Sequence, residues 1–167
     1  MASPISKRAI INFFVGSTTG LHQRITQFLA DKVIETEGEL EHYLWMEIYK
    51  WMRTEDEGNP IFNYAAYKLH SQYYYQEKKT YPDLEIYLGD KPVVIIELKH
   101  YSEKLYDAAK IFKDVVKNSA RASEDLEVIT LLIFTHSMTP EHLVMELDKL
   151  NEKLIHPERN YIIPISK

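Results

Sequence analysis

Residues Tyr81–Tyr101 read YPDLEIYLGDKPVVIIELKHY, and the way this stretch folds decides the architecture. It parses as two short strands, residues 83–88 and 93–99, around a turn at Gly89. Side chains alternate along a strand. Leu84, Ile86 and Leu88 therefore point one way on the first strand, and Val94, Ile96 and Leu98 point one way on the second, each set wholly apolar. Asp83, Glu85 and Tyr87 point the other way, as do Val93, Ile95, Glu97 and Lys99. This second set is apolar near the turn and charged at the far end. Charged groups resist burial unless they are paired, so the pattern predicts a sheet covered on both faces and open to a cleft at one end.

The loop decides whether the charges meet. Residues opposite each other across a hairpin point to the same face. A plain two- or four-residue loop puts Asp83 and Glu97 on opposite faces. An odd loop or a β-bulge puts them side by side, with Cβ atoms roughly 5 Å apart. Gly89 favours the irregular option. Two neighbouring carboxylates repel, and a hard cation such as Mg²⁺ relieves them while keeping waters for a phosphate to displace. A lysine alongside can steady charge or hold the attacking water. The plainer reading of the same residues is an ion pair at a strand end.

Outward from the hairpin, Leu21, Ile25, Phe28, Leu29 and Val33 have helical spacing, and Gly38 is expected to interrupt or end that helix. Leu40, Tyr43, Leu44, Ile48 and Trp51 form the apolar stripe of a second helix. The run 54–60 has loop composition. A tyrosine-rich strand is expected over about residues 67–76, and a helix is marked by Leu105, Ala108, Ala109, Phe112, Val115 and Val116. Residues 127–136 read as a strand buried on both faces. Thr139 and Pro140 open another helix. Residues 160–166 end the chain as a strand, and Pro164 suits an edge position. The leader, residues 1–17, contains IINFFV, which reads as a strand or an arm packing on a neighbour. The fold class is α/β, a mixed central sheet flanked by helices.

Composition limits the function. The 167 residues include 45% hydrophobic and 12% aromatic side chains, enough for one domain with a real core. The net charge of −5 removes a general basic signal for nucleic acid. Cysteine is absent, which excludes thiolate metal sites and a cysteine nucleophile. The short apolar run near the start suits neither a membrane span nor a signal peptide, so an intracellular, cytoplasmic protein without a membrane partner is expected.

Pro82-Asp83, then thirteen residues, then Glu97-Leu98-Lys99 resembles the signature of the PD-(D/E)xK, or restriction-endonuclease-like, nucleases. The resemblance covers roughly residues 38–136, whose element order is similar to the family's α-β-β-β-α-β core. Residues 1–37 then form an N-terminal extension, and 137–167 add a helix and a strand to a single domain. The resemblance implies metal-dependent hydrolysis of phosphodiester bonds, in DNA, with Mg²⁺ or Mn²⁺ held by Asp83 and Glu97. Lys99 would position or help deprotonate water. A glutamate from the first core helix often joins such sites. Glu41 and Glu47 both lie near the border of the apolar stripe, and Glu41 is favoured. Cutting both strands of a duplex suggests a homodimer. The alternative is a nuclease-like fold serving as a binding or assembly module.

Three other features stand apart from the motif. Lys110, Lys113, Lys117 and Arg121 form a basic stripe opposite their helix's apolar face, a solvated side. Tyr67, His70 and the tyrosines of 73–76 read as packing residues ahead of base-stacking ones. His100 follows the motif lysine and points to the opposite face in a regular strand, with a position near the cleft mouth and a phosphate contact as the alternative.

Overall fold

The computed structural model describes residues 12–14, 20–53, 55–56, 59–60, 67–71, 82–100, 113, 128–154 and 157–167. Helices α1 (Leu21–Ala30) and α2 (Glu37–Met52) come first. Strands β1 (Glu55–Asp56) and β2 (Asn59–Pro60) then pair with each other as a separate short ladder in the stretch expected to be loop. Strands β3 (Tyr67–Ser71), β4 (Leu84–Leu88), β5 (Lys91–His100), β6 (Ile129–His136) and β7 (Asn160–Ser166) form one sheet in chain order. Helix α3 (Pro140–Asn151) connects β6 to β7. β3, β4 and β5 run antiparallel, while β6 and β7 continue parallel to β5. The protein is thus mixed α/β, with a five-stranded mixed sheet flanked by helices.

The register of the hairpin follows from its turn. Gly89 and Asp90 link β4 to β5, with Gly89 at φ 63°, a left-handed value that glycine takes without strain. Leu88 then faces Lys91 and Tyr87 faces Pro92. A bulge follows, and beyond it Ile86 faces Val94, Glu85 faces Ile95 and Leu84 faces Ile96. Val93 is the extra residue. One step further along the same register, Asp83 lies opposite Glu97. The short loop alone would have separated the two carboxylates; the bulge returns them to one face.

Each sheet face has its own cover. Leu84, Ile86, Val94, Ile96 and Leu98 are buried with Leu21 and Ile25 of α1 and Leu40, Leu44 and Ile48 of α2. On the opposite face, Leu132 and Phe134 of β6 pack with Leu150 of α3 and with Leu154. All eight residues of β6 are buried, as expected for a strand covered on both sides. β7 forms one edge of the sheet. There the Nε2–H of His22 on α1 lies 3.2 Å from the Pro164 carbonyl oxygen, so a backbone acceptor is covered by a helix. Thr139 caps α3 by accepting from the His142 amide, with Pro140 in the first helical position as expected.

The N-terminal half departs from the sequence reading at two further places. Gly38 does not end the first helix. That helix stops at Ala30, Lys32 turns through φ 56°, and Gly38 sits in the first turn of α2. The reason is a capping box. The Thr36 hydroxyl accepts from the Glu39 amide at 3.2 Å, and Glu39 Oε2 accepts from the Thr36 amide at 2.9 Å. The Glu35 amide, which also donates to Glu39 Oε2, and then the two Thr36 bonds hold the Glu39 carboxyl below its ordinary pKa. Val33, assigned to the first stripe, is exposed, and Ile34 is buried in its place. The leader segment differs too. Residues 12–14 are helical, and Phe13 and Phe14 are buried in this chain's own core. The Phe13 ring stacks on Trp51 with centroids 4.3 Å apart. The helix expected around residues 105–116 and the end of the tyrosine-rich strand lie outside the described residues.

Candidate functional site

The charged end of the hairpin gathers four side chains from three elements. Asp83, just before β4, anchors first: its Oδ2 accepts the Leu98 amide at 2.6 Å, which ties it across to β5. Glu97, only 6% exposed, lies opposite it. The Lys99 ammonium donates to Glu97 Oε1 at 2.8 Å, from two residues further along the same face of β5. Glu37, the first residue of α2, reaches the end of that strand. Its Oε1 stands 3.7 Å from Lys99 Nζ, and its Oε2 accepts the His100 amide at 3.1 Å. Glu85 shares the face of Asp83 and is completely buried.

The electrostatics follow from crowding. Burial pushes the Asp83 carboxyl up, the neighbouring Glu97 charge pushes it further, and it reaches about 7. The Leu98 amide and Lys99 oppose that rise without cancelling it. Burial alone would lower the pKa of the Lys99 ammonium. The charge and hydrogen bond of Glu97, with Asp83 and Glu37 behind them, outweigh burial and hold it above the ordinary lysine value. Lys99 therefore stays protonated near neutral pH. It suits holding a water or a phosphate oxygen, not removing a proton.

The structure brings together Asp83, Glu97 and Lys99 of the expected set. The helix carboxylate in contact with Lys99 is that of Glu37. Glu41 lies one turn further along the same side of α2, about 40° round the axis. Glu47 is engaged elsewhere, with Arg24 at 2.7 Å and Lys50 at 3.2 Å. His100 points to the opposite face, as expected, where its Nδ1 lies 3.0 Å from Thr135 Oγ1. Burial, and then the Lys167 charge, lower its pKa. His70 packs against Tyr87, with ring centroids 5.0 Å apart. Lys113 is exposed and helical, while Lys110, Lys117, Arg121 and the tyrosines of 73–76 lie outside the described residues.

Glu37 is the site residue that sequence reasoning missed. The signal was Thr36-x-x-Glu39, which fixes the helix start and makes Glu37 the acid at its tip. Acids are favoured there by the helix dipole.

The donor set defines what the site can hold. Among the described residues, no group of three His, Asp or Glu side chains is placed to cage a metal ion. Two adjacent carboxylates, with the Asp83 pKa raised by burial and then by the Glu97 charge, suit a cation that takes one or two protein oxygens and keeps its waters, as Mg²⁺ does. Among the described residues, no helix is long and apolar enough to cross a membrane. No family model, curated protein or solved structure matches the chain.

Proposed function

We propose that this protein is a Mg²⁺- or Mn²⁺-dependent nuclease that hydrolyses phosphodiester bonds in DNA, with Asp83, Glu97 and Lys99 as its catalytic set. The observation that carries this reading is the bulged register: it sets Asp83 beside Glu97 on one face, with the Lys99 ammonium against them. The order of α2, an antiparallel three-stranded unit and a parallel β6 agrees with the restriction-endonuclease-like core that the sequence resembles. A bound cation would supply an activated water and a counter-charge for the scissile phosphate. Asp83 and Glu97 would hold it. Asp83 is kept in place by the Leu98 amide, and Lys99, protonated, would orient the phosphate or the water and balance charge as the P–O bond breaks. A homodimer would bring two such sites to the two strands of a duplex.

The second reading is a binding or assembly module on the same fold. It is favoured by the Lys99–Glu97 ion pair, which already neutralises one carboxylate, and by the net charge of −5. Incubation with supercoiled plasmid and with single-stranded DNA separates the two. The nuclease reading predicts cleavage that requires Mg²⁺ or Mn²⁺, stops with EDTA and disappears in Asp83→Ala. No cleavage of either DNA with either cation favours the module.

A further inference from the structure

We propose that Glu37 is a positioning residue: it keeps the Lys99 ammonium at the site when a cation draws the Glu97 carboxylate away. The inference rests on the cation-binding reading above. Among the described residues, Lys99 Nζ contacts two carboxylates, 2.8 Å from Glu97 and 3.7 Å from Glu37. The nearer one is the carboxylate a metal would claim. Once its charge is shared with a divalent ion, Glu97 attracts the ammonium far less, and the cation itself repels Lys99. An ammonium on a four-carbon stem then moves toward solvent unless another anion retains it. Glu37 is in place to do that.

Its geometry suits a holder better than a ligand. Oε2 accepts the His100 amide and Oε1 faces Lys99, so both oxygens are directed at donors of β5. The bond to His100, the residue after Lys99, also fixes the strand end from which the lysine projects. Glu37 opens α2, where the helix dipole favours a charged carboxylate. Its side chain is 45% exposed, so it can face Lys99 without being withdrawn from solvent.

The informative substitution is Glu37→Gln, which retains an acceptor for the His100 amide and removes only the charge. The readout is the NMR signal of the Lys99 ammonium in lysine-labelled protein, assigned by its loss in Lys99→Arg. Without metal, Glu97 holds the ammonium, so wild type and Glu37→Gln both show an ordered signal. At saturating Mg²⁺, wild type keeps it and Glu37→Gln loses it to fast exchange. Mn²⁺ affinity stays within about two-fold of wild type, while kcat falls about ten-fold or more with little change in KM. A persistent Lys99 signal in Mg²⁺-loaded Glu37→Gln overturns the proposal and leaves the cation site standing. A ten-fold loss of Mn²⁺ affinity overturns it in favour of direct ligation. Wild-type protein that binds neither cation overturns this proposal together with the reading beneath it.

Discussion

Asp83→Asn is expected to stabilise the metal-free protein at pH 8 and to leave its stability nearly unchanged at pH 4. The Asp83 carboxyl has a folded-state pKa of about 7, raised by burial and by Glu97 from 3.8. A raised carboxyl pKa means that the native state binds a proton which the unfolded chain has already released. Stability therefore falls as pH rises from about 4 to about 7, and the whole penalty is present above pH 7. Each pKa unit corresponds to about 1.4 kcal/mol, so the full effect is a few kcal/mol. Because the two acids are coupled, the proton belongs to the pair. Asparagine cannot ionise, yet its side-chain oxygen still accepts the Leu98 amide. Urea unfolding in EDTA should show Asp83→Asn about 2–4 kcal/mol more stable than wild type at pH 8. Equal or lower stability at pH 8 would mean that neither burial nor the Glu97 charge penalises the ionised Asp83 carboxylate.

Lys99→Met is expected to act in the opposite direction. It leaves the nearly buried Glu97 beside Asp83 without the ammonium that contacts it at 2.8 Å. Breaking a buried ion pair on one side destabilises by about 3 kcal/mol or more, because a desolvated charge is left behind. Glu97→Gln in the Lys99→Met background should recover most of that loss, since a neutral amide needs no counter-ion. A double-mutant cycle at pH 8 measures the coupling; additive effects would show that the pair contributes nothing as a pair. On activity, Lys99→Met should lower metal-dependent cleavage by about 10²–10³, the range for loss of one preorganised charge-stabilising donor. Glu97→Gln should not restore it.

The sequence and the fold agree most closely at the hairpin. Alternation alone separated the apolar set of Leu84 and Ile96 from the charged set of Asp83 and Glu97, and the charged set required an irregular register. The bulge at Val93 is that irregularity. The burial of β6 and the opening of α3 were also legible, because a long apolar run and Thr139-Pro140 are local signals. Glu37 was not. The stripe of α2 indicates which side faces the sheet, and Glu41 lies on the right side. Which turn meets the end of β5 depends on where the helix starts and how it docks. Gly38 obscured the start, since glycine within a pattern reads as a stop, and Thr36 with Glu39 overrode it. Docking is tertiary, and no local pattern encodes it. Phe13 and Phe14 failed similarly: six apolar and amide residues read as a strand or an arm on a neighbour until the Trp51 ring that Phe13 stacks on is known.

The central claim is that Asp83 and Glu97 act as one cation site. Calorimetric titration of the metal-free protein with Mn²⁺ at pH 7.5 tests it most directly, using wild type, Asp83→Asn and Glu97→Gln. The prediction is one site in the wild type, weakened about ten-fold or more in each variant, with all three proteins folded. Mn²⁺ binding of equal strength in all three, or none in the wild type, would contradict it.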